Sequence, residues 1–552
     1  MPLLPKAEGR SAPNIQSRPA VRTQNILFAS FLCSKICVCV IFVVSLQPIY
    51  AEALSIINRN NKLNINIMKK HYFLILALLV AFGMSACKDK TEPETPDDPG
   101  KESPLDVDNT VALSDDNRVI YEMNLYNFTK EGTFAAAQGK LADLRKLGID
   151  IIWLMPIQPR SQDKNKIGKL GSPYALHDYK AVNEDHGTLT DMKAFVNKAH
   201  DLGMQVWLDW VPNHTGTDHV WVTEHPEYYK RDGKGNIIHP NNYSDVYQLD
   251  YSNNEMQTAM QEAMIYWIKN ANIDGFRCDY LSSPYLPADF WSATIPKLQQ
   301  AADRKIWMLG ESDFQPEKAA LIQTGFDYDY MVGFHWQLEN EIGKAETVAK
   351  LRSQCRKVIS NSAYNDMDRM IYLTNHDDIG NNFGGNYFSF MGNNVAPLTV
   401  MEFTLYGMPL LYNGQEIGYR KVQQYFQRDP IDWTAVDKRL QNTIHTLIAL
   451  RHTQPALSSG KKANRGTTTF LTCSNSSFMA YTKKKDGNTV LVIISLATDE
   501  ASCEIEGIDK GTYTQWLNSE TIVDEIVKRD VELEEKMTFT LPKKGYAVYV
   551  KK

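Results

Sequence analysis

Short apolar runs alternate with amphipathic stretches between about residue 118 and residue 450. Eight runs have the length and apolar content of buried β-strands: residues 119–128, 149–156, 205–211, 273–279, 305–313, 326–334, 369–377 and 408–418. Helical patterns separate these runs. One of them, residues 190–202, repeats apolar side chains along a single stripe: Met192, Phe195, Val196 and Ala199. This repeated alternation predicts a (β/α)8 barrel, an α/β fold whose active site lies at the carboxyl ends of its strands.

The connection after the third predicted strand differs from the others. Between His214 and the helical pattern that starts near Asn254, the chain is polar and rich in glycine and tyrosine, without a clear helix. Loops of this length are usually functional, so we expect a short inserted domain at about residues 215–252. Within it, the run from Asp232 to Asn236 is more typical of a hairpin turn than of a metal-binding loop.

The character of the sequence changes after residue 450. β-rich runs at residues 467–473, 477–482, 489–496 and 547–550 are separated by polar, mostly glycine-containing turns. This pattern predicts a C-terminal antiparallel β domain, a β-sandwich over residues 459–552, which follows a barrel domain over residues 118–458.

The N-terminal part contains the pattern of an export signal. Residues 68–87 combine a basic start, an apolar core too short to span a bilayer comfortably and small residues before Cys87. The segment resembles a bacterial lipoprotein signal, whose cleavage would leave Cys87 as a lipid-modified terminus; an ordinary membrane anchor is the alternative. In bacteria with two membranes, an aspartate after the lipidated cysteine usually retains a lipoprotein in the inner membrane. Lys88 follows Cys87 here, so we expect the protein to be anchored in the outer membrane.

The flanking segments have no globular character. Residues 1–67 contain no methionine after Met1, so we interpret them as sequence upstream of a true start at Met68. Residues 88–117 are rich in proline and acid, which predicts a flexible linker.

The net charge and the cysteine spacing argue against two classes of protein, nucleic-acid-binding proteins and proteins with a cysteine metal site. The 552 residues carry a formal net charge of −6 with scattered lysines and arginines, unlike the basic surface of a nucleic-acid-binding protein. The spacing of the cysteines matches no metal site. A bridge between Cys473 and Cys503 would suit an exported protein, but the sequence leaves it open.

Acidic side chains end three of the predicted strands. Period-2 alternation places Arg277 and Asp279 on one face at the end of the fourth strand, where the guanidinium would hold the carboxylate ionised. Glu311 and Asp377 end the fifth and seventh strands. The alternatives are an internal ion pair for Arg277 and Asp279, and a surface loop acid for the third carboxylate.

Three carboxylates at one barrel mouth would repel one another unless one is ionised by a partner and another is kept protonated. Cleavage of a glycosidic bond through a covalent intermediate needs this combination, an ionised nucleophile and an acid that later acts as a base. His214 and His376 add donors suited to sugar hydroxyls, although a satisfied core histidine is the alternative for each.

Four motifs, in order along the chain, are similar to the signatures of glycoside hydrolase family 13, the α-amylase family. They are Asp209-Trp-Val-Pro-Asn-His214, Gly275-Phe-Arg-Cys-Asp279, the strand that ends at Glu311, and Asn375-His-Asp377. Family-like sequence extends from about residue 119 to residue 433. The resemblance implies a TIM barrel with a domain B inserted after strand 3.

The resemblance also implies roles for the matched acids. Asp279 would be the nucleophile, oriented and ionised by Arg277, and Glu311 would be the general acid/base. Asp377 would stabilise the distorted, oxocarbenium-like sugar. These roles predict retention of anomeric configuration, with nucleophile and acid about 5–5.5 Å apart.

Other matched residues would bind the sugar that lies before the scissile bond. By the same resemblance, His214 and His376 would bind its hydroxyls and Tyr174 would stack on its ring. Asp209 would be a structural acid at the barrel mouth.

The chain departs from the family after the nucleophile. Ser282 and Ser283 stand where many members carry a lysine and a histidine that help to bind sugars on the leaving-group side and to hold calcium. Asn213 matches a family calcium ligand, but its partners are not evident. We expect no cofactor in the chemistry itself, and a structural calcium at Asn213 stays open.

The sequence therefore predicts a lipid-anchored retaining glycosidase that acts on α-glucans, mainly at α-1,4 bonds in starch or maltodextrin. An exo-acting α-glucosidase or a transglycosylase of the same family is the alternative, because the signatures define the chemistry and not the cleft. A catalytically inactive glycan-binding lipoprotein is the alternative from another class. The expected partners are an α-glucan, the membrane through Cys87 and other glycan-uptake proteins.

Overall fold

The computed structural model describes residues 112–312, 324–341, 347–380, 385–519 and 528–552. The predictions for residues 1–67, for the signal that ends at Cys87 and for most of the linker lie outside these residues. The last residues of that linker, Asp115–Asn117, form a 3-10 turn, and Asn117 is buried. Within the described part of the chain, no helix is long and apolar enough to cross a lipid bilayer.

Eight parallel strands close into a barrel, as the alternation predicts. Their bounds are β1 Ile120–Met123, β2 Ile151–Leu154, β3 Gln205–Trp210, β6 Gly275–Cys278, β7 Trp307–Gly310, β8 Tyr328–Tyr330, β9 Asp368–Ile371 and β10 Met408–Tyr412. β10 pairs with β1 and closes the ring. The strands are shorter than the predicted runs, because the runs continue past them. The run of β1 continues into the helix Leu125–Phe128, and that of β7 continues into the segment that carries Glu311.

Helices surround the barrel and connect its strands. Their bounds are α1 Leu125–Phe128, α2 Phe134–Gln138, α3 Leu141–Leu147, α4 Leu189–Asp201, α5 Val220–Glu224, α6 Asn254–Ala271, α7 Ala288–Ala302, α8 Val332–Glu341, α9 Thr347–Ser360, α10 His376–Gly380, α11 Tyr387–Met391, α12 Val395–Thr404 and α13 Lys438–Thr453. In α4, Thr188 and Asp191 form a capping box, and the predicted stripe is buried. Gly203 follows in a left-handed conformation with φ 75°, which suits glycine at the end of a helix.

Aromatic side chains fill the inside of the barrel below the strand ends. Trp153, Trp207, Tyr328 and Tyr330 are buried there in one apolar cluster. Gly275 makes room for this packing, because a Cβ at that position would lie 2.8 Å from the ring of Trp207. The filled interior makes a rigid floor for the side chains at the carboxyl ends of the strands.

The connection between β3 and α6 is the inserted domain. Its strands β4 His214–Gly216 and β5 Val246–Gln248 pair antiparallel. The predicted hairpin turn is present, since the Asp232 backbone N–H donates to the Asn236 carbonyl at 2.9 Å and the Asp232 side chain accepts from two backbone N–H groups of the turn.

The C-terminal part consists of two antiparallel sheets. One has the order β11–β13–β14–β19–β16–β17 and the other has the order β12–β15–β18. The bounds are β11 Thr467–Phe470, β12 Thr472–Cys473, β13 Phe478–Lys485, β14 Asn488–Ser495, β15 Ala501–Glu506, β16 Gly511–Asn518, β17 Arg529–Leu533, β18 Lys536–Leu541 and β19 Tyr546–Lys551. An apolar cluster with members from both sheets forms the core of this sandwich. Cys473 and Cys503 are free thiols, so the bridge that the sequence left open is not formed in this structure.

Candidate active site

Arg277, at the end of β6, is the centre of the site and is completely buried. Its Nη1 donates to Asp209 Oδ1 and to Asp279 Oδ1, each at 2.9 Å. Its Nη2 lies 3.1 Å from Glu311 Oε2, and its Nε donates to the Tyr330 hydroxyl at 3.0 Å. One guanidinium therefore contacts three carboxylates that come from three different strand ends.

Asp279 and Glu311 each follow the last residue of their strand. The Asp279 backbone N–H donates to the Trp210 carbonyl at 2.8 Å, and the Glu311 backbone N–H donates to the Cys278 carbonyl at 3.0 Å. These bonds extend the barrel's hydrogen-bond ladder by one residue. Both carboxylates are thus held by the backbone of the barrel rather than by a mobile loop.

Asp377 lies in the first turn of α10, just after β9. Its backbone N–H donates to Asn375 Oδ1 at 3.0 Å, and the Asn375 backbone N–H donates to Asp378 Oδ2 at 2.8 Å. Asp378 Oδ1 lies 3.0 Å from His335 Nε2 on α8. This chain of hydrogen bonds fixes the loop that presents Asp377.

The three predicted catalytic acids share one cleft of about 530 Å³. Their side-chain exposure increases from 12% for Asp279 through 23% for Glu311 to 44% for Asp377. Asp209 lies below them with a side-chain exposure of 0%. The cleft therefore admits a ligand to Asp279, Glu311 and Asp377, whereas Asp209 can act only through other side chains.

Burial raises the pKa of all three carboxyls around Arg277. The pKa of Asp279 and that of Asp209 rise to about 6, and that of Glu311 rises to about 7. Arg277 lowers each of these pKa values, but burial outweighs it. We expected Arg277 to hold Asp279 ionised and a second acid to be kept protonated by its surroundings; burial raises the pKa of Asp279 as well as that of Glu311.

His376 lies beside Asp377 with both ring nitrogens engaged. Its Nδ1 is 2.5 Å from Glu122 Oε1, and its Nε2 is 2.7 Å from the Tyr174 hydroxyl and 3.5 Å from Asp377 Oδ1. Burial lowers the pKa of His376, but the charges of Asp377 and Glu122 outweigh burial and raise the pKa to about 10. His376 is therefore a cation at neutral pH.

Tyr174 forms the wall next to His376. The two rings stack with centroids 5.3 Å apart, and the tyrosine hydroxyl donates to Asp209 Oδ2 at 3.0 Å. The ring of Tyr174 also lines the cleft. The stacking role that the resemblance implies for Tyr174 stays a prediction.

His214 begins β4 and lines the cleft from the inserted domain. Its Nδ1 lies 3.1 Å from Asn213 Nδ2. Burial lowers the pKa of His214 to about 4, so this imidazole is neutral while His376 is charged. The two histidines can therefore offer different hydrogen bonds to a sugar.

The surroundings of Asn213 do not fit a calcium ion. Its side-chain oxygen accepts hydrogen bonds from Ser283 Oγ at 2.6 Å and from Gln248 Nε2 at 3.1 Å. Calcium binds oxygen acceptors, whereas here two donors already use the lone pairs of the oxygen that would be the ligand. Ser283, which marks the departure from the family pattern, is one of these donors.

The aromatic loop after β10 divides between the cleft and the core. Tyr425 and Phe426 line the cleft, and the Tyr425 ring stacks toward His376 with centroids 6.3 Å apart. Trp433 packs edge-on against Phe128 and donates to the Phe128 carbonyl at 2.8 Å. For Trp433, packing is the role that the structure supports.

Sequence reasoning missed several residues of the site, among them Glu122, Tyr243 and Tyr280. Glu122 could have been found, since it is the one charged residue in the predicted strand run 119–128. Tyr280 and Tyr243 line the cleft next to Asp279 and in the inserted domain. Their surroundings in the sequence carry no signal that separates them from packing aromatics.

The geometry has counterparts among known proteins. A family model described as "Alpha amylase, catalytic domain" matches residues 108–454. The chain belongs to the alpha-amylase family. An alpha-amylase from Lactobacillus plantarum is similar in structure, with a TM-score of 0.67, 26% identity and coverage of 79% of this chain and 99% of that one.

Curated relatives of this alpha-amylase family chain include hydrolases and transferases by name. Alpha-amylase MalA of Haloarcula japonica is 25% identical over 422 residues, which are 72% of this chain and 58% of the relative. An alpha-1,4-glucan:maltose-1-phosphate maltosyltransferase of Rhodospirillum rubrum is 26% identical over 399 residues, which are 67% of this chain and 54% of the relative. The chain thus spans little more than half the length of these two proteins.

Proposed function

We propose that the chain is a retaining glycoside hydrolase that cleaves α-glucosidic bonds, mainly α-1,4 bonds, in starch, maltodextrin or related α-glucans. The observation that carries the proposal is the arrangement around Arg277. This residue contacts Asp279 and Glu311 at once, and burial raises the pKa of both carboxyls above their ordinary values. Two carboxyls that share one guanidinium in this way can keep one ionised nucleophile beside one protonated acid, as this chemistry requires.

The first half of the reaction forms a covalent intermediate. Protonated Glu311 gives its proton to the glycosidic oxygen while an oxygen of Asp279 attacks the anomeric carbon. The bond from that carbon to the leaving oxygen breaks, the leaving sugar departs as an alcohol, and an ester to Asp279 remains. Asp377 and the charged His376 lie beside this centre and orient the sugar as it flattens.

The second half releases the product. Glu311, now ionised, takes a proton from water, and the oxygen of that water attacks the anomeric carbon. The ester bond to Asp279 breaks, so both carboxyls return to their starting states. Two inversions at one carbon give net retention.

Two experiments test this assignment. Proton NMR of the first product formed from maltopentaose should show the α-anomer before mutarotation, whereas the β-anomer would remove the covalent mechanism. A maltoheptaose blocked at its non-reducing end should be cleaved internally. A failure to cleave it, with activity on the unblocked chain, would indicate an exo-acting α-glucosidase.

Transfer to a sugar acceptor is the second candidate activity. The names of curated relatives such as the Rhodospirillum rubrum maltosyltransferase favour it, and the ester to Asp279 is common to both reactions. Incubation of the enzyme with maltotriose as both donor and acceptor separates them. Products longer than the substrate would indicate transfer, and glucose and maltose alone would indicate hydrolysis. A glycan-binding protein without turnover, the third candidate, would give no product at all.

We further propose that lipid on Cys87 anchors the enzyme to the outer membrane, where it would work with other glycan-uptake proteins. The support is the sequence of residues 68–87. Replacement of Cys87 by serine in the full chain should move the enzyme from the membrane fraction to the soluble fraction. Unchanged membrane association of that variant would contradict lipid anchoring.

A further inference from the structure

Tyr280, the residue after Asp279, has a conformation that is rare for tyrosine. Its φ is +48°, in the left-handed region that L-residues with bulky side chains seldom adopt. Backbone strain of this kind persists only where the surrounding structure imposes it, and it concentrates at functional sites. Tyr280 therefore has to be explained by what its backbone and its ring do.

The backbone of Tyr280 holds the proposed general acid. Its N–H donates to Glu311 Oε2 at 2.7 Å, and the N–H of Leu281 donates to the Glu311 carbonyl at 2.8 Å. Two consecutive N–H groups thus fix both the side chain and the main chain of Glu311. The left-handed turn at Tyr280 directs these donors toward the acid.

The side chain of Tyr280 connects the site to the inserted domain. Its hydroxyl accepts a hydrogen bond from Asn241 Nδ2 at 2.9 Å. Asn241 and Asn242 are themselves left-handed, with φ 52° and 63°, a conformation that asparagine tolerates. Two left-handed turns from separate parts of the chain therefore meet at this bond.

The same contact forms part of the cleft wall. Asn241, Tyr243 and Tyr280 all line the cleft that contains Glu311. Tyr243 is 58% exposed, so its ring is available to a ligand. Sugar rings present apolar faces that pack on aromatic side chains, and the phenol groups add hydrogen bonds.

We propose that Tyr280, with Asn241 and Tyr243, binds the sugar ring on the leaving-group side of the scissile bond and thereby sets which leaving groups the enzyme accepts. The inference rests on the proposed hydrolase function. A general acid must lie within hydrogen-bond reach of the oxygen that it protonates, so the leaving ring lies next to Glu311. The cleft-lining aromatic residue bonded to Glu311 is Tyr280, whereas Tyr174 is grouped with His376 around Asp209.

Substitution with glycine separates the two functions of Tyr280. Glycine adopts positive φ without strain, so Tyr280→Gly keeps the N–H donor to Glu311 and loses only the ring. Tyr280→Phe keeps the ring and loses the hydroxyl that accepts from Asn241. Asp303, an exposed residue with φ 52° after α7, provides the control, because Asp303→Gly relieves the same type of strain far from the cleft wall.

Two substrates report the two sides of the cleft. Cleavage of maltopentaose releases a sugar, which must be bound and protonated as it leaves. Cleavage of α-maltosyl fluoride releases fluoride, which needs neither a sugar subsite nor protonation. Tyr280→Gly should lower kcat/KM on maltopentaose by about tenfold or more and change it less than about threefold on α-maltosyl fluoride. Tyr280→Phe and Asn241→Ala should each lower the maltopentaose value by about threefold to tenfold, and the double variant should lower it no further.

Equal losses on both substrates, or no loss on maltopentaose, would overturn the proposal. The first result would mean that Tyr280 supports only the fold, and the second that its ring does not touch the leaving sugar. A shift of the alkaline limb in the pH profile of Tyr280→Gly on maltopentaose would assign the loss to Glu311 and would also overturn the proposal. If Tyr280→Gly does not fold, the comparison of Tyr280→Phe with wild type on the two substrates decides in the same way. Absence of wild-type turnover on both substrates would instead overturn the hydrolase function, and the inference with it.

Discussion

Oε1 of Glu122 at the end of β1 lies 2.5 Å from Nδ1 of His376, below the cleft. Both side chains are fully buried, with exposures of 0% and 1%. The pair joins the first strand of the barrel to the loop that carries Asp377. Glu122 also keeps His376 charged, because the carboxylate is one of the groups that raise the pKa of the imidazole to about 10. Glu122 is thus a positioning residue for a group that lines the cleft.

Replacement of Glu122 by glutamine should impair catalysis and change its pH dependence. The hydrogen bond to a charged group is worth about 1.5–3 kcal/mol, so kcat/KM should fall about tenfold to hundredfold. The pKa of His376 should fall from about 10 toward that of Glu311, about 7, so that the loss of two protons rather than one would make the alkaline fall of activity steeper than in the wild type. The matched control is Glu227→Gln, since Glu227 pairs with His225 at 3.1 Å on the surface. A profile of unchanged shape in Glu122→Gln would contradict this role.

Replacement of Asp279 by asparagine should abolish turnover without loss of stability. Loss of the nucleophile should lower kcat by roughly 10⁴-fold or more. Arg277 would still contact Asp209 and Glu311, and one buried charge would be removed, so the melting temperature should stay the same or rise. Activity assays and thermal denaturation measure the two effects. Retained turnover would refute the role of Asp279, and a large drop in melting temperature would refute the shared-guanidinium argument.

The activity of the wild-type enzyme should follow a bell-shaped pH profile. Asp279 must be ionised and Glu311 protonated, and their pKa values are raised by burial to about 6 and about 7. We therefore expect kcat/KM to rise through about pH 6 and to fall above about pH 7, with apparent values that belong to the coupled pair. A profile that is flat from pH 5 to pH 8 would show that these carboxyls are not the titrating groups.

Raised pKa values also predict the direction of the pH dependence of stability. Glu402 on α12 is 1% exposed, and its burial raises its pKa well above the ordinary value of 4.5, with only a partial offset from the backbone of Leu373. The stability that the protonated carboxyl contributes is complete below about pH 4.5 and is lost as the pH rises toward the folded-state pKa.

Glu402→Gln should therefore gain stability relative to wild type between pH 5 and pH 8. The cost of a buried charged group that lacks full compensation suggests a gain of about 1–3 kcal/mol at the higher pH. Urea unfolding at the two pH values measures it, with the exposed Glu500→Gln as the control. A difference between variant and wild type that is the same at both pH values would contradict the assignment.

Treatment with EDTA, which removes calcium, should leave the enzyme folded and active. Asn213 Oδ1 is occupied by the donors Ser283 and Gln248. A calcium site with a Kd of about 1 μM would add about 4 kcal/mol of stability at 1 mM ion, so its loss would be easily seen. We expect melting temperatures within about 2 °C in EDTA and in 1 mM calcium. A shift of many degrees would show that a calcium site forms in spite of these hydrogen bonds.

The barrel was predictable because its sequence signals are local and repeated. In α4, four apolar residues spaced three and four apart lie on one helix face, and Thr188 and Asp191 form a capping box at its start. Both signals indicate the same helix. The runs of the barrel strands are mostly apolar, as expected for strands covered on both faces, and charged residues such as Asp209 and Arg277 interrupt them near the site. Side chains two residues apart in a strand lie on the same face, so the sequence alone predicted that Arg277 and Asp279 are paired. A large part of the site could therefore be assigned to the strand ends before the structure was known.

The missed features depend on tertiary contacts or on weak patterns. β15 and β18 alternate apolar and exposed positions, but their polar, short segments do not stand out from turns. The left-handed Tyr280 is stabilised by Glu311 and Asn241, residues distant in the sequence, and tyrosine gives no local indication of that conformation. The pKa values near neutrality depend on burial, which the motif around Arg277 does not report.

The large C-terminal sheet contributes to two cores at once. On one face, Phe478 and Leu491 pack in the sandwich; on the other, Met479, Val490 and Val492 join the core that includes the outer barrel helices. A bond between the hydroxyls of Thr404 on α12 and Tyr481 on β13, at 2.6 Å, crosses this junction. For protein engineering this means that the barrel and the sandwich cannot be separated without exposing part of their shared core. A fusion protein that contains the catalytic barrel would have to include this sheet, since truncation near residue 458 would expose a large apolar surface of the barrel helices to water.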